Sequence, residues 1–171
     1  QKTAYEIPKR DWSSDVCSSD LMKKIVSEDP EKLIDFYNKH AAGKAGVLHY
    51  RFATSGPVNE SMAHPFKVSD DLFVVHNGVL RGGSATESDT AQFVREVLQP
   101  YLAEDYTRLY EPEMQKWIES QIGGSALVFL DRDGVVTKLG NKGVDWDSCW
   151  YSNTYAWTVP PELGGWGRRG G

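Results

Sequence analysis

Residues Leu72, Phe73, Val74 and Val75 are apolar in succession and lead directly into His76, Asn77 and Gly78. Successive side chains of a strand point to opposite faces, so four apolar residues in a row require cover on both sides. The segment Asp71 to His76 is therefore expected to be a central buried strand, which commits the chain to layers packed on each face of a sheet. That strand lies inside a polar-rich stretch, His49 to Asp89, which reads H-Y-R-F-A-T-S-G-P-V-N-E-S-M-A-H-P-F, then V-V-H-N-G, then E-S-D-T.

The flanking signals define the other elements. Thr3 to Ile7 alternates well enough for a short strand ended by Pro8. Pro30 suits the first turn of a helix capped by Asp29 or Ser27, with Leu33, Ile34, Phe36 and Tyr37 as its apolar stripe and Gly43 as its stop. Ala45 to Phe52 is expected as a strand, and Ala53 to Pro65, with Gly56, Pro57, Asn59 and Pro65, as a loop. Ser88 caps a helix carrying Phe93, Val94, Val97, Leu98, Tyr101 and Leu102, with Pro100 kinking its last turn. Pro112 begins another helix, built on Met114, Trp117, Ile118 and Ile122 and stopped by Gly123-Gly124. Ser125 to Leu130 and Val135 to Leu139 form a hairpin around Asp131-Arg132-Asp133-Gly134, and Trp150 to Thr158 reads as one or two closing strands. Strands segregated from helices predict an α+β fold. The domain is expected to span residues 1–163, followed by a Gly- and Arg-rich tail over 164–171.

One segment does not belong to this pattern. Asp11 to Leu21, D-W-S-S-D-V-C-S-S-D-L, has neither helical nor strand period and reads as a flexible loop by composition. It also looks like the conceptual translation of a widely used sequencing adapter, so an artefactual insert at 11–21 is expected and is set aside from fold reasoning. Removing its three aspartates leaves 19 cations against 21 anions, a net charge of −2 in place of −5. Cys17 leaves with it and is a decoy for anyone seeking a catalytic thiol. Neither charge indicates a basic surface, so nucleic acid is not an expected partner. No apolar run approaches the roughly 20 residues that cross a bilayer, so no membrane partner is expected. Two cysteines in 171 residues fit a reducing, cytoplasmic setting.

The residues able to carry chemistry each have a plainer explanation when taken singly. Arg51 could clamp a carboxylate with its planar fork, helped by the Thr54 hydroxyl and by close approach at Gly56, or could pair with a neighbouring Glu. Asn77-Gly78 could supply a side-chain amide and a backbone N–H to an oxyanion, or could be a two-residue hairpin turn. Asp89 could hold an ammonium group, or could simply complement the positive end of its helix, with Ser88 and Thr90 as caps. His49, His64 and His76 match no compact metal-ligand spacing and read as packing histidines, so neither metal nor cofactor is expected. Cys149 reads as a buried strand thiol.

Taken together and in order, R-F-A-T-S-G, N-x-x-x-x-H-P-F, V-V-H-N-G and S-D-T resemble the class II glutamine amidotransferase domain, one of the N-terminal-nucleophile hydrolases. The likeness is specific from about His49 to Thr90 and compatible as far as Trp157. It implies an αββα sandwich of two antiparallel sheets flanked by helices, incomplete at its N-terminus. It implies that Arg51 and Thr54 bind the substrate α-carboxylate, that Asn77 and Gly78 form the oxyanion hole, and that Asp89 binds the amino-acid end of glutamine. The activity implied is hydrolysis of the glutamine side-chain amide by thiol acyl transfer, with the ammonia passed to a synthase domain or subunit.

The sequence departs from that family in three ways. Residue 1 is Gln where members begin with a catalytic Cys, the Arg-Gly-x-Asp-type loop before the first helix is missing, and positions 52 and 55 are Phe and Ser where relatives often have Trp or Tyr and His. The expectation is a chain that begins part-way through its gene, lacks the nucleophile and is inactive as written. A non-catalytic glutamine-binding or scaffold domain of the same fold is the alternative.

Overall fold

A computed structural model of the chain describes residues 12–18, 21–27, 29–43, 46–52, 63–84, 86–146 and 148–153. The protein is α+β, with antiparallel sheets and helices.

The first strand, β1 (Trp12–Ser18), lies between β2 (Leu21–Val26) and β3 (Gly46–Phe52), antiparallel to both. This corrects the loop expected there from composition. Ladder bonds are made by main-chain groups, so a segment without an apolar period can still fill the place between two strands. Between β2 and β3 runs α1 (Pro30–His40), which packs on β1 and β2. Both proposed caps are used: the Asp29 side chain accepts from Glu31 N, and Ser27 Oγ accepts from Asp29 N. Gly43, with φ of 75°, ends the turn that follows. Of the expected stripe only Leu33 is buried, whereas Ile34 remains 57% exposed.

The second sheet has the order β4 (Phe66–Ser69), β5 (Leu72–Asn77), β6 (Ala126–Asp131) and β7 (Val136–Gly140), all antiparallel. Strand β4 was not expected, because four residues interrupted by Lys67 carry too little pattern to detect. Strand β5 is internal, as its four apolar residues require, and every residue of β6 is buried. One face of this sheet, with Leu72, Val74, Leu127 and Phe129, shares a core with the helical segments. On the other face Val75 pairs with Val128, both buried, and β3 is in contact with β6.

The helical cover begins at α2 (Asp89–Phe93), whose Ser88 cap accepts from Ala91 N. It continues through a π-helical stretch, Val94–Leu98, into α3 (Gln99–Leu102). Pro100 has no N–H and its ring crowds the carbonyl four residues back, and the helix widens just before it, with Gln99 N bonded to Val94 O. A short 3-10 turn, Tyr106–Tyr110, leads to α4 (Pro112–Ile122), which lies on β7. The ribbon β8 (Val144–Trp146) and β9 (Cys149–Tyr151) follows. Among the described residues no helix is long and apolar enough to cross a membrane. The expected first strand at Thr3 to Ile7 and the tail at 164–171 lie outside the described residues.

Phe129, fully buried at the centre of the shared core, sets the scale of the packing. Phe129→Ala is expected to cost about 3–5 kcal/mol in urea unfolding. Ile34→Ala, on the exposed side of α1, is expected to stay within about 0.5 kcal/mol.

Candidate functional site

Because both faces of β5 are buried, the first freedom for polar chemistry comes at its C-terminal end. There His76 is buried, Asn77 is exposed and Gly78 turns the chain with φ of 137°. The strand that follows β5 in sequence is β6, with α2 to α4 between them, and Asn77 pairs with Ala126. Asn77-Gly78 is therefore not a two-residue hairpin turn. Gly78 is required for two reasons: its φ is one that L side chains rarely adopt, and a Cβ there would lie 2.7 Å from Ser125 Cβ and 2.9 Å from Ser125 Cα. The Asn77 amide donates from Nδ2 to Ser152 Oγ at 2.7 Å, just beyond β9. An amide nitrogen carries two hydrogens, so one is held by Ser152 and one is left for another acceptor. No sequence signal pointed to Ser152; it lies 75 residues away.

Asp89 is brought to the same turn. Its Oδ2 accepts from Leu80 N at 2.9 Å, which ties the chain just after Gly78 to the first turn of α2. Its Oδ1 accepts from Thr90 N at 2.7 Å and from Thr90 Oγ1 at 3.2 Å. Ser88 is the cap, as expected; Thr90 is not. Thr90 is buried and its hydroxyl joins Asp89 to His76, whose Nδ1 lies 2.9 Å away.

The histidines form a cluster. His49 Nε2 lies 3.0 Å from the His76 carbonyl oxygen, and a carbonyl only accepts, so the His49 proton is on Nε2. The His49 and His64 rings are 4.1 Å apart between centroids, and His64 and His76 are 6.3 Å apart. Burial is the main cause that holds the His76 imidazole below the ordinary histidine value; nearby His49 adds to the effect and the Asp89 carboxylate opposes it. Among the described residues no group of three or more His, Cys, Asp or Glu side chains is arranged to hold a metal ion.

The His49–His76 bond fastens β3 beside the end of β5, and Arg51 follows two residues along β3, its backbone paired with Ser13. Thr54 lies outside the described residues. Asn77, Gly78 and Asp89 are thus brought together at one turn. Cys149 is exposed, correcting the buried strand thiol. It sits opposite Trp146 at the turn end of a two-stranded ribbon, beside Ser148 with its positive φ of 62°.

No family model matches the chain. Similarity is found to enzymes named glutamine–fructose-6-phosphate aminotransferase (isomerizing). That of Agrobacterium fabrum is 33% identical over 129 residues, covering 69% of this chain and 19% of the relative. That of Bradyrhizobium diazoefficiens is 32% identical over 101 residues, covering 52% and 16%. That of Wigglesworthia glossinidia brevipalpis is 53% identical over 38 residues, covering 22% and 6%. The chain spans at most about a fifth of the length of these relatives.

Two outcomes follow from the geometry. Gly78→Ala is expected to lower stability by about 2 kcal/mol or more in urea unfolding, through strained φ and collision with Ser125. His76 gives a sign for acid stability. The unfolded chain takes up a proton near pH 6.5, as histidine ordinarily does, whereas folded His76 resists it, so stability is complete above about pH 6.5 and falls as the pH drops towards the folded value. The urea midpoint is expected to fall between about pH 7 and pH 5.5, and to fall less in His76→Asn, which has no group titrating there.

Proposed function

We propose that this chain carries the substrate-binding part of a class II glutamine amidotransferase domain, with the αββα arrangement of the N-terminal-nucleophile hydrolases. The observation that supports it most is the bond from Leu80 N to Asp89 Oδ2, which joins the Asn77-Gly78 turn to the carboxylate assigned to the substrate's amino end. The relatives, by name, use glutamine and fructose 6-phosphate. The packing order also fits: α1 on the first sheet, that sheet against β6 through β3, and helices on the far face of the second sheet.

In this reading Arg51 and Thr54 take the glutamine α-carboxylate and Asp89 takes its ammonium. A thiolate attacks the side-chain amide carbon, and the resulting oxyanion rests between the second N–H of Asn77 Nδ2 and the backbone N–H of Gly78. Ammonia leaves, passes to an acceptor domain or subunit, and water releases glutamate. No cofactor enters these steps. The nucleophile is assigned to a cysteine that neither Cys17 nor Cys149 represents. The assignment of 11–21 to a sequencing adapter belongs to the same proposal; a strand can pair through its main chain whatever its codons came from, and genomic DNA across those codons tests it.

A second reading keeps the binding residues and dispenses with catalysis. In that reading the three bonds that Asp89 makes to its own chain hold its carboxylate ready for a ligand and need no nucleophile.

Calorimetry with glutamine and glutamate is expected to detect binding that Arg51→Ala and Asp89→Ala abolish; absence of binding to the unaltered chain would overturn both readings. Glutaminase activity is expected to require the nucleophilic cysteine, appearing in a protein that carries these residues behind a Met-Cys start and not in the same protein with Met-Ala there. In the Met-Cys protein Asn77→Ala is expected to lower turnover about 100- to 1000-fold, as loss of an oxyanion donor does. Turnover by the Met-Ala protein would remove the assignment of the nucleophile.

A further inference from the structure

The hydroxyl of Thr90 lies between two groups that cannot both receive its single proton. Asp89 Oδ1 is 3.2 Å away on one side and His76 Nδ1 is 2.9 Å away on the other. A carboxylate oxygen offers only lone pairs here, and a hydroxyl oxygen set against it without its proton would be repelled. The Thr90 proton therefore points to Asp89, and His76 donates Nδ1–H to the Thr90 oxygen. This assigns the His76 tautomer: its Nε2 carries the lone pair and is buried with no hydrogen-bond partner among the described residues. The result is a one-way chain of donors, from His76 through Thr90 to Asp89.

A carboxylate has about four acceptor positions, two on each oxygen. On Asp89, Oδ1 is filled by Thr90 N and Thr90 Oγ1, and Oδ2 takes Leu80 N. Among the described residues this leaves one position, on Oδ2. The terminal torsion of an aspartate is broad and roughly two-fold, so nothing within the side chain itself selects that arrangement. We infer that Thr90 and His76 are positioning residues, which hold the Asp89 carboxylate so that a single acceptor position on Oδ2 meets a ligand ammonium group. The inference rests on the reading of Asp89 as the residue that binds the amino end of glutamine. The groups facing His76 are Thr90 and Asp89 from α2, His49 from β3, and His64 from the segment before β4.

The test is calorimetry on the full chain with two probes, glutamine and glutaramate, which is glutamine without its amino group. The unaltered chain is expected to prefer glutamine. Thr90→Val, which keeps the shape and removes the hydroxyl, is expected to weaken glutamine binding about tenfold, leave glutaramate within about twofold and so abolish the preference, on the scale of one charge-assisted bond. Thr90→Ser is expected to restore the preference. His76→Asn, which can place an amide N–H near the position of Nδ1, is expected to keep the preference and His76→Leu to lose it; this pair decides the matter if Thr90→Val does not fold. Retention of the preference in Thr90→Val, or in His76→Leu where Thr90→Val is unfolded, overturns the positioning role and leaves the glutamine reading intact. Equal weakening of both probes also overturns it, because it marks a general loss of structure. If the unaltered chain binds neither probe, the glutamine reading fails and takes the inference with it.

Discussion

A strand buried on both faces has no room along its length for polar side chains, so whatever polar chemistry it brings is displaced to its ends. In β5 this constraint places His76, Asn77 and Gly78 consecutively at the C-terminal edge of the second sheet. The backbone there must still satisfy its own bonds, and it does so with groups from elsewhere: His49 on the His76 carbonyl, and Asp89 on Leu80 N. Ser125, one residue before β6, packs so closely on Gly78 that no side chain fits. Sheet, preceding strand and following helix are thereby fastened at one place, and the candidate site is that place.

Fastening and binding compete for the same atoms. Hydrogen bonds to a charged group contribute about 1.5–3 kcal/mol each, so a carboxylate with three of them is a major constraint on the turn it holds. A side chain so committed is poorly free to follow a ligand, but it is also already in place when one arrives, and side-chain ordering is among the chief costs of binding. The same holds along the segment after Gly78. Gly83 N donates to Gln92 Oε1, Ser84 Oγ accepts from Thr86 N and Glu87 N, and Glu87 is gripped by Arg95 through two bonds. Within that braced segment Val79 stands 86% exposed, next to the proposed oxyanion position.

What the sequence discloses follows from how far each signal reaches. Caps and breakers act over a few residues, and Asp29, Ser88, Pro112 and Gly123 end their helices where local chemistry demands. The run Leu72 to Val75 discloses an internal strand because burial on two faces leaves a mark in composition. The strand Trp12–Ser18 leaves no such mark, since its place depends on the main-chain edges of β2 and β3. Cys149 misleads because aromatic neighbours suggest a core, whereas among the described residues its ribbon has two strands and the thiol is exposed. The site divides in the same way. Asn77, Gly78 and Asp89 are visible in order along the chain, but Ser152 on the Asn77 amide and His76 on Thr90 are contacts of the folded state alone.

The buried histidines complete this argument. An imidazole without charge can occupy a core at modest cost if its N–H has an acceptor, and Thr90 supplies one to His76. Protonation would add a second N–H at Nε2, which is buried with no partner among the described residues, and would do so beside His49 and His64. The Asp89 carboxylate favours the charge, and burial outweighs it. The surroundings of His76 thus shift its proton equilibrium towards the neutral form. A neutral His76 places no imidazolium beside Asp89, so the remaining acceptor position there keeps its attraction for a cation supplied from outside the chain.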